Sequence, residues 1–125
     1  MDNCIFCKIA KGEIPSNKLY EDDKVIAIMD LNPIVDGHTL VIPKEHVSDY
    51  TKMDGELLLH INKVAQEIGP KLVKALNTNA MSLQVNYLDA QEIKHYHMHI
   101  IPNHRCHKAT KTSIETYKMI KDNFK

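Results

Sequence analysis

Residues 95–101 read HYHMHII, an imidazole at every second position with aromatic or apolar side chains between and after. A period of two is that of a β-strand, where successive side chains take opposite faces and same-face neighbours lie about 6.6–6.8 Å apart. His95, His97 and His99 are therefore expected on one face, and Tyr96, Met98 and Ile100 on the other, against a core. A slip of one residue would bury three imidazoles and expose the apolar set, so the segment specifies its own register.

Three other stretches carry strand signals. Residues 24–31 (KVIAIMDL) and 38–43 (HTLVIP) flank the turn-rich NPIVDG and suggest an antiparallel pair, and residues 80–87 (AMSLQVNY) alternate again. Between them the period changes. Over residues 54–77, Leu57, Leu58, Ile61, Val64, Ala65, Ile68, Leu72, Val73 and Leu76 recur at three- and four-residue steps, which predicts one long amphipathic helix. Asp54, alone or with Thr51, is placed to cap its start. Gly69-Pro70 falls inside the pattern, and a kink or broken turn is expected near residues 66–70. Strands, a long helix and further strands define an α+β domain with an antiparallel sheet. Residues 103–125 carry six Lys or Arg against two acids. Thr112 and Glu115 have capping-box spacing, and Ile114, Tyr117, Ile120 and Phe124 follow a helical period, so a C-terminal helix packed on the body is expected. Its lysines would help attract an anionic ligand.

The 125 residues suit a single domain. Sixteen basic residues balance sixteen acidic ones, which argues against a broad nucleic-acid footprint. No apolar run approaches the roughly 18 residues that would span a bilayer. The N-terminus lacks a secretory pattern, and three cysteines do not suit a disulfide framework, so a cytoplasmic chain with reduced thiols is expected.

A row of three imidazoles admits several uses. Isolated histidines are often hydrogen-bonded surface residues, but strict alternation is a poor fit to chance. Three in line do not easily wrap one metal ion, and no acid lies inside the motif. A phosphate site remains: imidazoles donate to oxyanions, and one can attack phosphorus through an unprotonated nitrogen. A reference pKa of about 6.5 suits either role near neutral pH.

HYHMHII resembles the His-φ-His-φ-His-φ-φ signature, φ apolar, of the histidine triad superfamily. CIFCKIAKGEIPS (4–16), IMDLNPIVDGHTLVIPKEH (28–46) and QVNYLDAQEIKH (84–95) are similar to successive blocks of its Hint branch, in order, so the resemblance covers about residues 4–105. It implies a HIT-like fold and a homodimer whose sheets join across the interface. It also implies a purine nucleotide substrate, cleaved at the α-phosphorus of a phosphoramidate or related nucleotidyl compound. His97 matches the family nucleophile, which would form a nucleotidyl-histidine that water then opens. His99 matches a ligand of a non-bridging phosphate oxygen, His38 a support of the triad, Gln91 a polar group beside the scissile bond, and Asn86 a phosphate-pocket residue. Asp30 matches the acid that accepts ribose hydroxyls, although a turn acid before Asn32-Pro33 is the plain alternative. Ile28 matches the base-pocket wall, or simply packs in the core.

Cys4, Cys7, His46 and His95 match a Cys₂His₂ zinc set of some Hint-branch members, closed and therefore structural, with no metal required for catalysis. Reduced thiols or a redox pair are the alternatives. His104, Cys106 and His107 lie outside these motifs and read as ordinary surface residues or an adventitious metal patch. The chain departs from the family pattern at Ala90, where relatives often have Gly, and at Glu92, where many have Ser. A serine donates to a leaving group and an ionised glutamate does not, so leaving-group preference stays open. Three alternatives to the phosphoramidase reading stand beside it: a catalytically weak nucleotide-binding regulator, a dinucleoside polyphosphate hydrolase, and a zinc-dependent hydrolase. None requires nucleic acid or a membrane as partner.

Overall fold

All five residues of the strand Val25–Met29 are buried, which requires cover on both faces of its sheet. The computed structural model, which describes residues 3–102 and 110–121, supplies that cover. The elements in chain order are α1 (Ile5–Ala10), β1 (Lys18–Glu21), β2 (Val25–Met29), β3 (Thr39–Pro43), α2 (Gly55–Leu76), β4 (Met81–Val85), β5 (Met98–Pro102) and α3 (Ser113–Ile120). The strands form one antiparallel sheet in the order β1-β2-β3-β5-β4, so β1 and β4 are its edges. This is the α+β architecture expected from the order of patterns. The short α1 and β1 carried too little periodicity to be read from sequence.

The two faces of the sheet hold two separate apolar cores. On one, Val25, Ala27, Met29 and Val41 meet Ile61, Val64, Ala65, Ile68 and Leu72 of α2, with Ile120 of α3. On the other, Ile26, Ile28, Leu40 and Ile42 meet Phe6 and Ile9 of α1. Alternation along each strand assigns its residues to these cores in turn. Tyr96, Met98 and Ile100 join the α2 side, so the histidines face the α1 side, as their alternation predicts. The strand itself is shorter than expected. β5 begins at Met98, and residues 95–97 approach it with Tyr96 N–H donating to Val47 O at 2.7 Å.

Asp54 caps α2 by accepting the N–H groups of Glu56 and Leu57, and Asn77 closes it in the left-handed region at φ 52°. Of the kink or broken turn expected near residues 66–70, the broken turn does not occur: α2 runs through Pro70 as one helix. Pro70 and Gln66, whose carbonyl loses its helical partner, are both exposed, while Ile68 and Leu72 on either side of Pro70 are anchored in the core. Tertiary burial outweighs a local cost of about 3 kcal/mol. Gly69 also allows close approach, since a Cβ there would lie 2.9 Å from Met81 Sδ. Gly37 is needed more directly. It adopts φ +86°, and a Cβ would overlap Leu76 Cδ1.

The C-terminal helix forms with its capping box, Thr112 and Glu115 each bonding the other's backbone N–H. Its buried face differs from the expected stripe. Ser113, Thr116 and Ile120 turn inward, and Ile114 is 54% exposed. Ile120 is fully buried and sets the phase, and Thr116 tolerates burial because its hydroxyl donates to Thr112 O. Phe124, like His104, Cys106 and His107, lies outside the described residues. Among the described residues no helix is long and apolar enough to cross a membrane.

Candidate functional site

The ends of four neighbouring strands bring one cluster of polar side chains together. Asp30 follows β2, His38 precedes β3, Asn86 follows β4, and His97 and His99 flank and occupy the start of β5. All five line a cleft of about 280 Å³. Ile5, Phe6 and Ile9 of α1 and Ile28 and Leu40 of the sheet form its apolar wall, and Asn32, Gln84 and Glu92 add polar lining. A larger depression of about 830 Å³ lies between residues 15–17, 31–33 and the start of α3, and no histidine of the row reaches it.

Hydrogen bonds to groups of fixed polarity settle the imidazole tautomers. A carbonyl only accepts, so His97 Nδ1–H donates to His95 O at 2.8 Å, and the neutral ring keeps its lone pair on Nε2. A backbone N–H only donates, so His38 Nδ1 accepts from Ile34 N at 3.1 Å and its proton sits on Nε2. That Nε2–H donates to His99 Nδ1 at 2.8 Å, which leaves His99 Nε2 protonated. His99 Nε2 lies 3.3 Å from Asn86 Nδ2, while Gln84 Nε2 donates to Asn86 Oδ1. Two N–H donors, from His99 and Asn86, therefore meet at one spot of the cleft, an arrangement suited to an anionic oxygen.

Burial favours the neutral ring throughout this group. It lowers the pKa of His38 and His97, with Asp30 opposing it in both, and together with the charges of His97 and His38 it holds His99 at about 4. A neutral His97 with a free Nε2 is nucleophilic near pH 7. Asp30 Oδ1 accepts Asn32 N–H at 2.9 Å, the turn role, and its Oδ2 lies 3.5 Å from His38 Nε2.

His95 belongs to a second centre. Its Nδ1 lies 3.3 Å from Cys4 Sγ and 3.5 Å from Cys7 Sγ, and His46 Nδ1 lies 3.2 Å from Cys7 Sγ. The four donor atoms all fall within 4.8 Å of one another, and this cluster can hold a metal. Tetrahedral zinc with sulfur and imidazole ligands needs donor separations of roughly 3.3–3.8 Å, and the three sulfur–nitrogen separations lie within or just below that range. His95 Nε2–H donates to Pro43 O at 2.8 Å, aiming Nδ1 at the sulfurs. Burial raises the Cys7 thiol, an effect that Cys4 reinforces, and holds His95 at about 4.

Asp30, His38 and His99 also lie close enough to suggest a metal trio. The tautomers argue otherwise: Ile34 N–H occupies one His38 lone pair, so Nε2 carries a proton and has none to offer. The row of histidines thus divides, His95 to the cysteine cluster and His97 and His99 to the cleft.

Gln91 is the one expected cleft residue that the fold does not bring there. Its amide is buried and donates to Ser48 O at 2.6 Å, because the turn at Leu88–Ala90 directs it away. Ala90 itself lines the cleft, and the positive φ in this turn falls on Leu88 at 54°. Residues 5, 6 and 9 of α1 were missed as cleft wall. The only sequence signal was Phe6 and Ile9 at helical spacing, too short a pattern to stand alone.

An open five-stranded antiparallel sheet with a histidine row beside a cleft defines a histidine triad architecture. The HIT domain profile matches residues 11–106, and the chain belongs to that family. It is 39% identical over 104 residues to adenosine 5'-monophosphoramidase hnt1 of Schizosaccharomyces pombe, covering 80% of this chain and 74% of that protein. It is 40% identical over 103 residues to adenylylsulfatase HINT3 of Arabidopsis thaliana, covering 81% of this chain and 52% of that protein. The crystal structure of a Zn-bound histidine triad family protein from Mycobacterium smegmatis superposes with a TM-score of 0.89 at 28% identity, covering 98% and 94% of the two chains. The chain is thus a HIT-family protein whose relatives include ones named as a phosphoramidase and an adenylylsulfatase, which supports a hydrolase in general terms.

Proposed function

We propose that the chain hydrolyses purine nucleoside phosphoramidates, or closely related nucleotidyl compounds, to the nucleoside monophosphate. The observation that carries this reading is His97: a buried ring lining the cleft, with Nδ1–H tied to His95 O and Nε2 without a hydrogen-bond partner among the described residues. Nε2 attacks the α-phosphorus, an N–P bond forms, and the bond to the leaving amine breaks as that amine takes up a proton. Water then attacks phosphorus, the N–P bond breaks, and His97 returns to its neutral state as the monophosphate departs. His99 Nε2–H and Asn86 Nδ2–H stabilise the non-bridging oxygens as charge shifts onto them. Asp30 accepts the ribose hydroxyls, and Ile28 with Ile9 walls the base. His38 orients His99. Gln91 contributes by bracing residues 88–92 against Ser48.

Cys4, Cys7, His46 and His95 hold zinc in this reading. A closed Cys₂His₂ set supplies rigidity and leaves no open position for chemistry. Cys4 and Cys7 are free thiols, which suits a reducing, cytoplasmic setting. The dimer forms through β4, an edge strand on which Leu83 is 48% and Val85 39% exposed.

Incubation with adenosine phosphoramidate tests the reading. Release of AMP is expected, with a nucleotidylated chain trapped by rapid quenching, and His97→Ala should lose nearly all turnover. Wild-type activity in that variant would overturn the mechanism. AMP binding without turnover on any phosphoramidate or dinucleoside polyphosphate would favour a regulatory binder.

A further inference from the structure

The metal cluster and the cleft share one short helix. Cys4 is the N-cap of α1 and Cys7 lies in its first turn, so both anchor the same six-residue element. Helices this short are not stable alone. Among the described residues, the polar side-chain ties from α1 and its cap to the rest of the fold run through those two sulfurs, to His95 and His46. The other anchor is apolar packing by Phe6 and Ile9.

Phe6 sits between the cysteines and touches both centres. Its ring stands edge-on to His95, with centroids 5.8 Å apart and planes at 89°, and packs against His97 at 4.9 Å and 68°. It is 4% exposed, and it lines the cleft beside Ile5 and Ile9. A second connection runs along the backbone, where the carbonyl of His95 holds His97 Nδ1–H. Displacing α1 would thus move a wall of the cleft and release one side of the His97 ring together.

We propose that Phe6 is a positioning residue that couples the metal cluster to the nucleotide cleft, so that zinc and nucleotide each strengthen the other's binding. The inference rests on the nucleotide reading above. Coupling of this kind is reciprocal: the factor by which zinc tightens AMP must equal the factor by which AMP tightens zinc. It operates through α1 and requires no zinc contact with substrate.

The experiment uses the zinc-loaded protein with AMP as probe. Calorimetry gives the AMP affinity, and competition with a chromophoric chelator gives the zinc affinity with and without saturating AMP. AMP is expected to tighten zinc by a factor in the range of about 5-fold to 150-fold. Phe6→Leu should bring that factor close to one while one zinc per chain is retained, and should lower kcat more than it raises KM. Phe6→Met repeats this arm if the leucine variant does not fold. An unchanged zinc affinity in wild type with AMP bound would overturn the proposal. So would full coupling in the Phe6 variants, the pattern expected if metal loss merely unfolded the chain. Failure of zinc-loaded wild type to bind AMP would sink the nucleotide reading and the coupling with it. Binding without coupling would remove the coupling alone.

Discussion

Asp22 joins the turn between β1 and β2 to the long helix, and its removal has a calculable cost. One carboxylate oxygen accepts the N–H groups of Lys24 and Val25, both at 2.8 Å. The other accepts the Tyr20 hydroxyl at 2.7 Å and lies 2.7 Å from His60 Nε2 on α2. Burial by itself would raise this carboxyl, but the four bonds outweigh it and hold the pKa at about 2, against an ordinary 3.8. That depression corresponds to about 2 kcal/mol in favour of the folded, ionised form. The side chain is 22% exposed, so solvent screening trims the figure only modestly. A depressed carboxyl contributes stability that is complete above its unfolded value and is lost as pH falls through its folded one. Asp22→Asn should therefore lose about 2 kcal/mol at pH 7, with the difference shrinking as pH falls from about 4 towards 2. Urea midpoints of both proteins across that range measure it. A spectroscopic titration adds a second readout, because the bond to Asp22, then burial, pushes the Tyr20 phenol to about 12. The variant should titrate closer to an ordinary tyrosine, near about 10. An equal stability difference at pH 7 and pH 2, or an unmoved Tyr20, would refute the reasoning.

Three further outcomes follow from particular contacts. Gly37→Ala should destabilise by roughly 1–3 kcal/mol, read as a lower Tm, because it combines a left-handed φ with an overlap at Leu76. Chelation of the zinc-loaded protein should lower Tm, while whatever fraction stays folded keeps a reduced but measurable AMP release, since none of Cys4, Cys7, His46 and His95 lines the cleft; complete loss of turnover in folded, metal-free protein would point to metal-dependent chemistry. Leu83→Lys on the β4 edge should shift sedimentation towards monomer at micromolar concentration, and an unchanged species would place the interface elsewhere.

Much of the fold was legible because its signals are local. The strands at residues 25–29 and 39–43 show as apolar, β-branched runs beside turn signals, the strand at 81–85 and the helix at 55–76 carry their own periods, and caps such as Asp54 and the Thr112–Glu115 box lie within a few residues of what they cap. The six residues of α1 make fewer than two helical turns and β1 has only four, so neither spans enough chain to show its own period. Ile114 in α3 was misplaced because three- and four-residue steps define a period but leave its phase free, and only burial of Ile120 chooses the inward face. The cleft was partly legible through resemblance. Phe6 was invisible as its wall, and Gln91 looked like a member until the turn at Leu88 aimed it at Ser48.

The chain's own order of residues determined which side of the sheet the imidazoles of 95–101 occupy, because alternation in an extended backbone leaves no other choice once Tyr96, Met98 and Ile100 are buried. It did not determine what each imidazole meets there. His95 finds Cys4 and Cys7 some 90 positions away, at separations of 91 and 88, and His99 finds His38 at a separation of 61. Those partners are set by how α1 and the strands pack. A periodic pattern specifies a face through the geometry of its own backbone, whereas the neighbour of that face is chosen by packing among distant segments, which no short window of sequence contains.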